Sequence, residues 1–175
     1  DTGLLKWQST NLVGANHYAG VAVASNKVLH ISGSTMYAFD INNGNQVWSS
    51  YIGRSGWAQT APAVYSNRIY VSMGNGGTGV GVYDLNTGSN LFNYGGFTEP
   101  SQVTAPALAN GRMYIVGQQA SSTNCYLYAF SASSTNLLWQ FPLSTAYGNS
   151  PIVAGNVLYL TASNFYAINA TTGAE

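Results

Sequence analysis

The stretch that decides the fold is Ala38-Phe39-Asp40-Ile41-Asn42-Asn43-Gly44-Asn45-Gln46-Val47-Trp48. Apolar residues alternate up to Asp40, which predicts a strand, and the Asp-x-Asn-x-Gly run predicts a tight turn in which Gly44 takes a positive φ. Val47 and Trp48 begin the return strand of a hairpin. Because a single hairpin cannot bury its own indole, we expect neighbouring copies of the unit to pack against Trp48.

Variants of this hairpin return along the chain at intervals of 38 to 47 residues. Gly3, Gly88 and Gly173 occupy the position of Gly44, and Thr135 stands there in a decayed copy. Short alternating runs and no helical periodicity predict four antiparallel strands in each unit. The sequence therefore predicts an all-β fold, a β-propeller of about four blades in a single domain spanning 1–175. We place its repeats at 1–8 (the last strand of a blade), 17–52, 58–94, 102–141 and 148–175 (an incomplete blade).

The composition is poor in charge and limits the classes of function. Only 6% of the 175 residues are charged, and five Lys and Arg balance five Asp and Glu, which excludes a basic footprint for nucleic acid or for anionic membranes. A net charge of zero favours self-association. No apolar run could span a bilayer, and nothing at the N-terminus is typical of a signal peptide, so we expect a mature or excerpted segment. Cys125 has no partner for an internal disulfide, and the composition favours an extracellular or periplasmic location.

The repeats resemble a known family. Thr60-Ala61-Pro62-Ala63, followed by Tyr70-Val71, and Ala38-x-Asp40-x-x-x-Gly44-x-x-x-Trp48 are similar to the PQQ-like repeat of quinoprotein dehydrogenases and outer-membrane assembly lipoproteins, including its tryptophan-docking motif. The motif residues carried over are Trp7, Asp40, Gly44, Trp48, Asp84, Gly88, Phe92 and Trp139, with Phe92 replacing Trp in a decayed copy. The resemblance implies propellers that usually have eight blades, and it implies roles for these residues in blade packing.

Three closures of the ring stay open at this point. Thr2-Gly3 and Thr172-Gly173 occupy the same position of the motif, so the fourth unit has barely begun its last strand at Glu175. The segment is half of a longer propeller, or pairs with a second copy whose predicted strand at 4–8 completes the open blade, or closes on itself as a four-bladed ring.

Motifs for catalysis or for metal binding are weak. The run Gly74 to Gly79 fits the letters of a dinucleotide fingerprint, but a strand follows it where a helix is needed. A calcium loop starting at Asp40 would need a Glu where Tyr51 stands. His17 and His30 have no ligand partner at metal spacing, and Cys125 is expected to be a packed residue. We therefore predict no catalytic residue, no metal and no cofactor.

Surface loops carry the remaining candidates. Loops between blades gather on one face of a propeller, and aromatic rings beside amides suit a glycan or a peptide. The candidate ligand-binding residues are His17, Tyr18, Arg54, Trp57, Gln59, Glu99, Gln102, Tyr147 and Asn149. We predict a non-enzymatic interaction or assembly module whose partner is itself, as an oligomer or filament, or another protein. The alternatives are a carbohydrate-binding propeller and a fragment of a quinoprotein oxidoreductase.

Overall fold

The structure is a computed structural model that describes residues 3–9, 20–52, 60–73, 79–95, 104–118, 125–143 and 148–175. These residues form strands that we number along the chain: β1 (Ala22–Ala24), β2 (Lys27–Ser32), β3 (Thr35–Asp40), β4 (Gln46–Tyr51), β5 (Ala63–Tyr65), β6 (Arg68–Met73), β7 (Gly79–Asp84), β8 (Asn90–Tyr94), β9 (Ala107–Ala109), β10 (Arg112–Gln118), β11 (Cys125–Ser131), β12 (Leu137–Pro142), β13 (Ile152–Ala154), β14 (Val157–Thr161) and β15 (Phe165–Asn169). No helix long and apolar enough to cross a membrane occurs in the described part of the chain.

The strands form four sheets in which each strand pairs with its neighbours in sequence. Blade 1 contains β1 to β4, blade 2 contains β5 to β8 and blade 3 contains β9 to β12, whereas blade 4 has the three strands β13, β14 and β15. All pairings are antiparallel. The prediction of an all-β propeller built from four-stranded antiparallel blades is confirmed.

The innermost strands set the order of the blades. β1 lies beside β5, β5 beside β9, and β9 beside β13, but β13 makes no contact with β1. A proline precedes β5, β9 and β13, at Pro62, Pro106 and Pro151, where no backbone donor is needed for a ladder. The four blades therefore form an open arc.

The outermost strand of each four-stranded blade carries a β-bulge at the same place. The register shifts between Ala38 and Phe39, between Val82 and Tyr83, and between Ala129 and Phe130 of the partner strand. The extra residue comes directly before the aromatic position, for example Val47 before Trp48. Because a bulge re-aims the next side chain, it helps direct this aromatic residue towards the following blade.

The hydrophobic core lies between successive blades. We call the face that a blade turns towards the next blade along the chain its forward face, and the opposite face its backward face. The forward face of blade 1 packs on the backward face of blade 2 through Leu29, Ile31, Met36 and Ala38 against Ile69, Val71, Tyr83 and Leu85. Blade 2 meets blade 3 through Tyr70, Val80 and Val82 against Met113, Ile115 and Tyr128. Blade 3 meets blade 4 through Tyr114, Leu127 and Ala129 against Leu158, Leu160 and Ile168.

Residues 3–9 differ from the prediction of a strand at 4–8. The described residues 3–9 belong to no sheet, although Gly3 has a φ of 65°, close to the 74° of Gly44 and the 73° of Gly88. Leu4 and Leu5 are 81% and 77% exposed. A strand requires a partner for its ladder, and none of the described strands pairs with this segment, so its repeat-like sequence does not form a strand here.

Candidate interaction surface

The acidic residues of the repeat are held in the turns. Asp40 Oδ1 accepts the backbone N–H of Asn42 at 2.8 Å, and Asp84 Oδ1 accepts those of Asn86 and Thr87, both at 2.9 Å. The hydrogen bonds to Asp84, first the one from Thr87 and then the one from Asn86, hold the pKa of Asp84 below its ordinary value. Both carboxylates serve the local backbone, as expected for this turn chemistry.

An aromatic residue of one blade packs on the turn glycine of the next, and we call this the indole–glycine contact. A Cβ added at Gly44 would lie 2.6 Å from Cε3 of Trp7, and one at Gly88 would lie 2.7 Å from Cε3 of Trp48. Gly173 stands in the same relation to Trp139, at 2.7 Å. The three glycines have positive φ, so both backbone and space require a residue without a side chain.

A backbone carbonyl beside each turn accepts a hydrogen bond from the preceding blade. The indole N–H of Trp7 donates to Ile41 O at 2.9 Å, and that of Trp48 donates to Leu85 O at 3.1 Å. In the next two blades the acceptors are Ala132 O and Ala170 O. Hydroxyls of the central strands donate to them, that of Tyr70 to Ala132 O at 2.6 Å and that of Tyr114 to Ala170 O at 3.0 Å. The guanidinium of Arg68 also donates to Ala132 O, at 3.1 Å.

The choice of donor explains two details of the sequence. Phe92, which has no N–H, stands opposite the turn whose carbonyl Tyr70 already serves. The junction between blades 3 and 4 has both a tyrosine hydroxyl and an indole. Because the hydroxyl of Tyr114 donates to Ala170 O, the buried Nε1 of Trp139 has no hydrogen-bond partner in the described structure.

The forward face of blade 4 is uncovered. Tyr159 occupies the position that Leu29, Tyr70 and Tyr114 occupy in the other blades. Each of these residues pairs with the first residue of the innermost strand of its blade. Those three residues are at most 1% exposed, whereas Tyr159 is 37% exposed. Phe165 and Ile152, on the same face, are 68% and 69% exposed. The rings of Tyr159 and Phe165 stack with centroids 6.1 Å apart.

This apolar surface carries no charge. It consists of Ile152, Ala154, Tyr159, Thr161, Phe165 and Ala167, all exposed. Residues of the same kind form the contact between blades elsewhere in this chain. The exposed large apolar side chains make this surface the candidate interaction site.

The ligand-binding residues predicted from the sequence lie almost entirely outside the described residues. His17, Tyr18, Arg54, Trp57, Gln59, Glu99, Gln102 and Tyr147 fall there, and only Asn149 is described. Asn149 is exposed and bonds Thr161, through its backbone N–H at 3.0 Å and its side-chain amide at 2.7 Å. The glycan site therefore stays a prediction.

Two of the remaining candidates, Cys125 and Gly79, lie in β-strands. Cys125 is 4% exposed within the core between blades 3 and 4, and burial raises the pKa of its thiol, which disfavours the reactive thiolate. Gly79 lies in β7 against the backbone of Tyr94, while 74–78 are outside the described residues. No group of three or more metal-ligating side chains occurs in the ranges described.

Sequence reasoning did not find the apolar face of blade 4. The signal was present in β14, where Leu158, Tyr159 and Leu160 place large apolar residues on both faces of a strand. In a propeller that pattern indicates a sheet to be covered on both sides.

Comparisons with known proteins agree with this architecture. A family model described as outer membrane protein assembly factor BamB matches residues 1–120. A curated relative, the tetrathionate hydrolase of Acidithiobacillus ferrooxidans, is 27% identical over 164 residues, which are 93% of this chain and 30% of that protein. The chain thus spans less than a third of the length of this relative.

Two solved structures show the fold. The computationally designed Ika4 protein has a TM-score of 0.74 at 17% identity, with 95% of this chain and 98% of that chain covered. BamB from Moraxella catarrhalis has a TM-score of 0.65 at 18% identity, with 99% of this chain and 54% of that chain covered. The chain therefore aligns with nearly all of the designed protein and with about half of the bacterial one.

Proposed function

We propose, from the premise that this chain belongs to the family of the outer membrane protein assembly factor BamB, that it is a non-enzymatic, self-associating interaction module that works outside the cytoplasm. The observation that carries this proposal is the uncovered forward face of blade 4, where Phe165 and Ile152 are 68% and 69% exposed. Exposed apolar patches of this kind mark protein–protein contacts.

The chemistry of the described side chains supports a role without catalysis. Asp40 and Asp84 are engaged by the backbone of their own turns, and Cys125 is buried with a raised pKa. A nucleophile or a general base needs an accessible group with a pKa near the working pH. Among the described residues these groups instead maintain turns and core.

Mass measurement in solution tests the proposal. We expect multi-angle light scattering of the 175-residue chain at micromolar concentration to give a mass above the 18.5 kDa of one copy. Phe165→Gln should lower that mass towards one copy, because it places a polar amide in the apolar contact. A wild-type chain that stays at one copy contradicts the proposal.

A matched control distinguishes association through this face from nonspecific hydrophobic association. Leu91, in β8 of blade 2, is 46% exposed and belongs to a blade that is flanked on both sides by other blades. Leu91→Gln removes an exposed apolar side chain away from the ends of the arc and should leave the mass unchanged. If both variants lower the mass equally, the association does not use the face of blade 4.

A further inference from the structure

We propose that the junction between blades 3 and 4 binds a small inorganic anion of the chloride class, held between the guanidinium of Arg112 and the indole N–H of Trp139. The inference is independent of the proposed self-association, because every residue that it uses lies between two neighbouring blades of one chain. It assigns a ligand to two buried nitrogen atoms that the packing of these blades leaves without an acceptor.

The first observation is that two buried donors have no partner. Nε of Arg112 and Nε1 of Trp139 are buried, and neither makes a hydrogen bond to any residue of the described structure. Each nitrogen carries a hydrogen and cannot act as an acceptor instead. Buried N–H groups of native proteins almost always have an acceptor, from the protein, from water or from an ion. The two orphaned donors therefore indicate an acceptor that the described chain does not supply.

Both donors belong to residues that lie beside Tyr114. The rings of Tyr114 and Trp139 have centroids 5.9 Å apart. Burial raises the pKa of Tyr114, and the charge of Arg112 opposes that shift, which requires the guanidinium to be close to the phenol. The hydroxyl of Tyr114 donates to Ala170 O at 3.0 Å across the junction. Arg112 and Trp139 therefore lie at the same part of the contact between blades 3 and 4.

The other junctions show where side chains at these two positions are directed. In blade 2 the arginine that begins the second strand, Arg68, donates to Ala132 O at 3.1 Å. In blade 1 the tryptophan of the outer strand, Trp48, donates to Leu85 O at 3.1 Å. Both acceptors directly follow the first residue of their turn, as Ala170 does in blade 4. The arginine and the tryptophan of blade 3 thus converge on an oxygen that already accepts from a tyrosine hydroxyl, and an acceptor beside it would serve both.

The charge at this junction favours an anion over a water molecule. Between blades 1 and 2 the cation is Lys27, which is 8% exposed. Hydrogen bonds of the turn, first that from Thr87, lower the pKa of Asp84, and the charge of Lys27 across the junction adds to that shift. Asn169 takes the place of Asp84 in blade 4, where its Oδ1 accepts two backbone N–H groups at 2.9 and 3.0 Å. Arg112 therefore has a neutral amide at the position where Lys27 has a carboxylate.

The surroundings of Arg112 also fix the class of the anion. The guanidinium of Arg68 lies 5.7 Å from the centroid of the Phe92 ring, whereas that of Arg112 makes one long hydrogen bond within the described residues, to Asn110 O at 3.5 Å. A buried charge needs a partner, and one monovalent ion both balances the guanidinium and accepts from Trp139. A phosphate would need donors for several oxygens, and this junction offers few. Because Arg112 as a whole is half-buried, the ion has a route from solvent along its side chain.

The indole signals in proton–nitrogen correlation spectra test the site. Sodium chloride replaces sodium gluconate at a constant ionic strength of about 1 M, where the Debye length is about 3 Å and long-range effects of charge are screened. We expect the indole signal of Trp139, assigned by its loss in Trp139→Phe, to shift with added chloride and to saturate. The signal of Trp48, whose N–H donates to Leu85 O, should stay in place and is the internal control. A Trp139 signal that does not respond to chloride overturns the inference.

Two charge variants locate the bound ion. Asn169→Asp keeps the oxygen that accepts from the turn and supplies the carboxylate that Asp84 supplies in blade 2, so it should compete with chloride and abolish the shift of the Trp139 signal. Asn43→Asp adds the same charge in the turn of blade 1, where the side-chain oxygen accepts a backbone N–H at 2.8 Å, and should leave the shift unchanged. If Asn169→Asp leaves the shift as it is, or if Asn43→Asp also abolishes it, the ion is not bound at Arg112 and the inference fails.

Unfolding in the two salts gives a second measurement. A ligand that binds only the folded chain stabilises it. In gluconate, Trp139→Phe removes an N–H that has no acceptor in the described structure, whereas in chloride it also removes a contact with the bound ion. The midpoint of urea unfolding should therefore fall further on Trp139→Phe in chloride than in gluconate, while Trp48→Phe should lower it equally in both salts. Equal losses for Trp139→Phe in the two salts would contradict a contact between the indole and the anion.

Discussion

At the scale of single residues, the carbonyl beside each turn is served by different donors at different junctions. It accepts from the indole of Trp7 or Trp48 at the first junctions and from the hydroxyl of Tyr70 or Tyr114 at the later ones, where Ala132 O also accepts from the guanidinium of Arg68. A buried carbonyl needs one good donor. Once a central-strand Tyr provides it, the indole N–H is no longer required, and Phe92 becomes acceptable.

This exchange predicts different costs for the same substitution at two tryptophans. Trp48→Phe removes the only hydrogen bond that the indole makes to Leu85 O, whereas Trp139→Phe removes an N–H without a partner in the described structure. We expect Trp48→Phe to lower the free energy of unfolding by about 1 kcal/mol more than Trp139→Phe. Urea denaturation of both variants measures the difference, and equal costs would contradict the assignment of donors.

The turn glycines allow the backbone cost and the packing cost to be separated. Gly88 and Gly111 have φ of 73° and 72°, but a Cβ at Gly88 would lie 2.7 Å from Trp48, whereas one at Gly111 would have nothing within 4 Å. Gly111→Ala should cost about 1–2 kcal/mol for the left-handed backbone. Gly88→Ala should cost about 1–3 kcal/mol more, because the indole must move. Thermal or urea unfolding measures both, and similar losses would show that the indole–glycine contact adds nothing.

At the scale of strands and sheets, the sequence predicts most of the architecture. Alternation and the Asp-x-x-x-Gly turns indicate strands such as β3 and β4 because these signals depend on neighbouring residues in the chain. The bulge before Trp48 and the uncovered face of Tyr159 and Phe165 depend on which strands lie side by side. That information is tertiary, so reasoning on one repeat at a time did not find them.

The prediction of a strand at 4–8 differs from the structure because strand pairing, too, depends on tertiary neighbours. Its residues have the pattern of an outer strand, and Trp7 makes the contact that the pattern implies, but no strand among the described residues pairs with it to form a ladder. The predicted loop site likewise depended on where loops meet, and of its residues only Asn149 lies in the described structure, where it bonds Thr161.

The free edge of β15 predicts uneven protection of backbone amides. The central strand β7 is paired on both sides, by β6 and β8, whereas β15 is paired by β14 alone. At dilution, the outward amides of β15 should exchange with solvent about tenfold faster or more than those of β7, a difference of ~1.4 kcal/mol in opening free energy. Hydrogen exchange with mass spectrometry measures both strands in one sample, so β7 is the internal control. Equal protection at all concentrations would show that β15 has no free edge.

At the scale of the whole molecule, we expect association between copies to depend little on charge and mainly on buried apolar area. Lys and Arg balance Asp and Glu, and only 6% of residues are charged, so copies of the chain neither repel nor attract each other at long range. The uncovered face of blade 4 contains no ionisable group except the hydroxyl of Tyr159. Association through it is expected to follow the hydrophobic effect.

Salt therefore distinguishes this interface from an ionic one. Apolar burial is not screened by salt, whereas exposed ion pairs weaken as the Debye length falls from about 10 Å at 0.1 M to about 3 Å at 1 M. We expect the mass of the chain to stay constant or to rise between these concentrations of sodium chloride, and Phe165→Gln to lower it at every concentration. Light scattering across the series measures this response, with Leu91→Gln as the control that leaves it unchanged. A mass that falls steeply with added salt would place charged groups in the interface and would remove the face of Phe165 from consideration, because that face has no charge to screen.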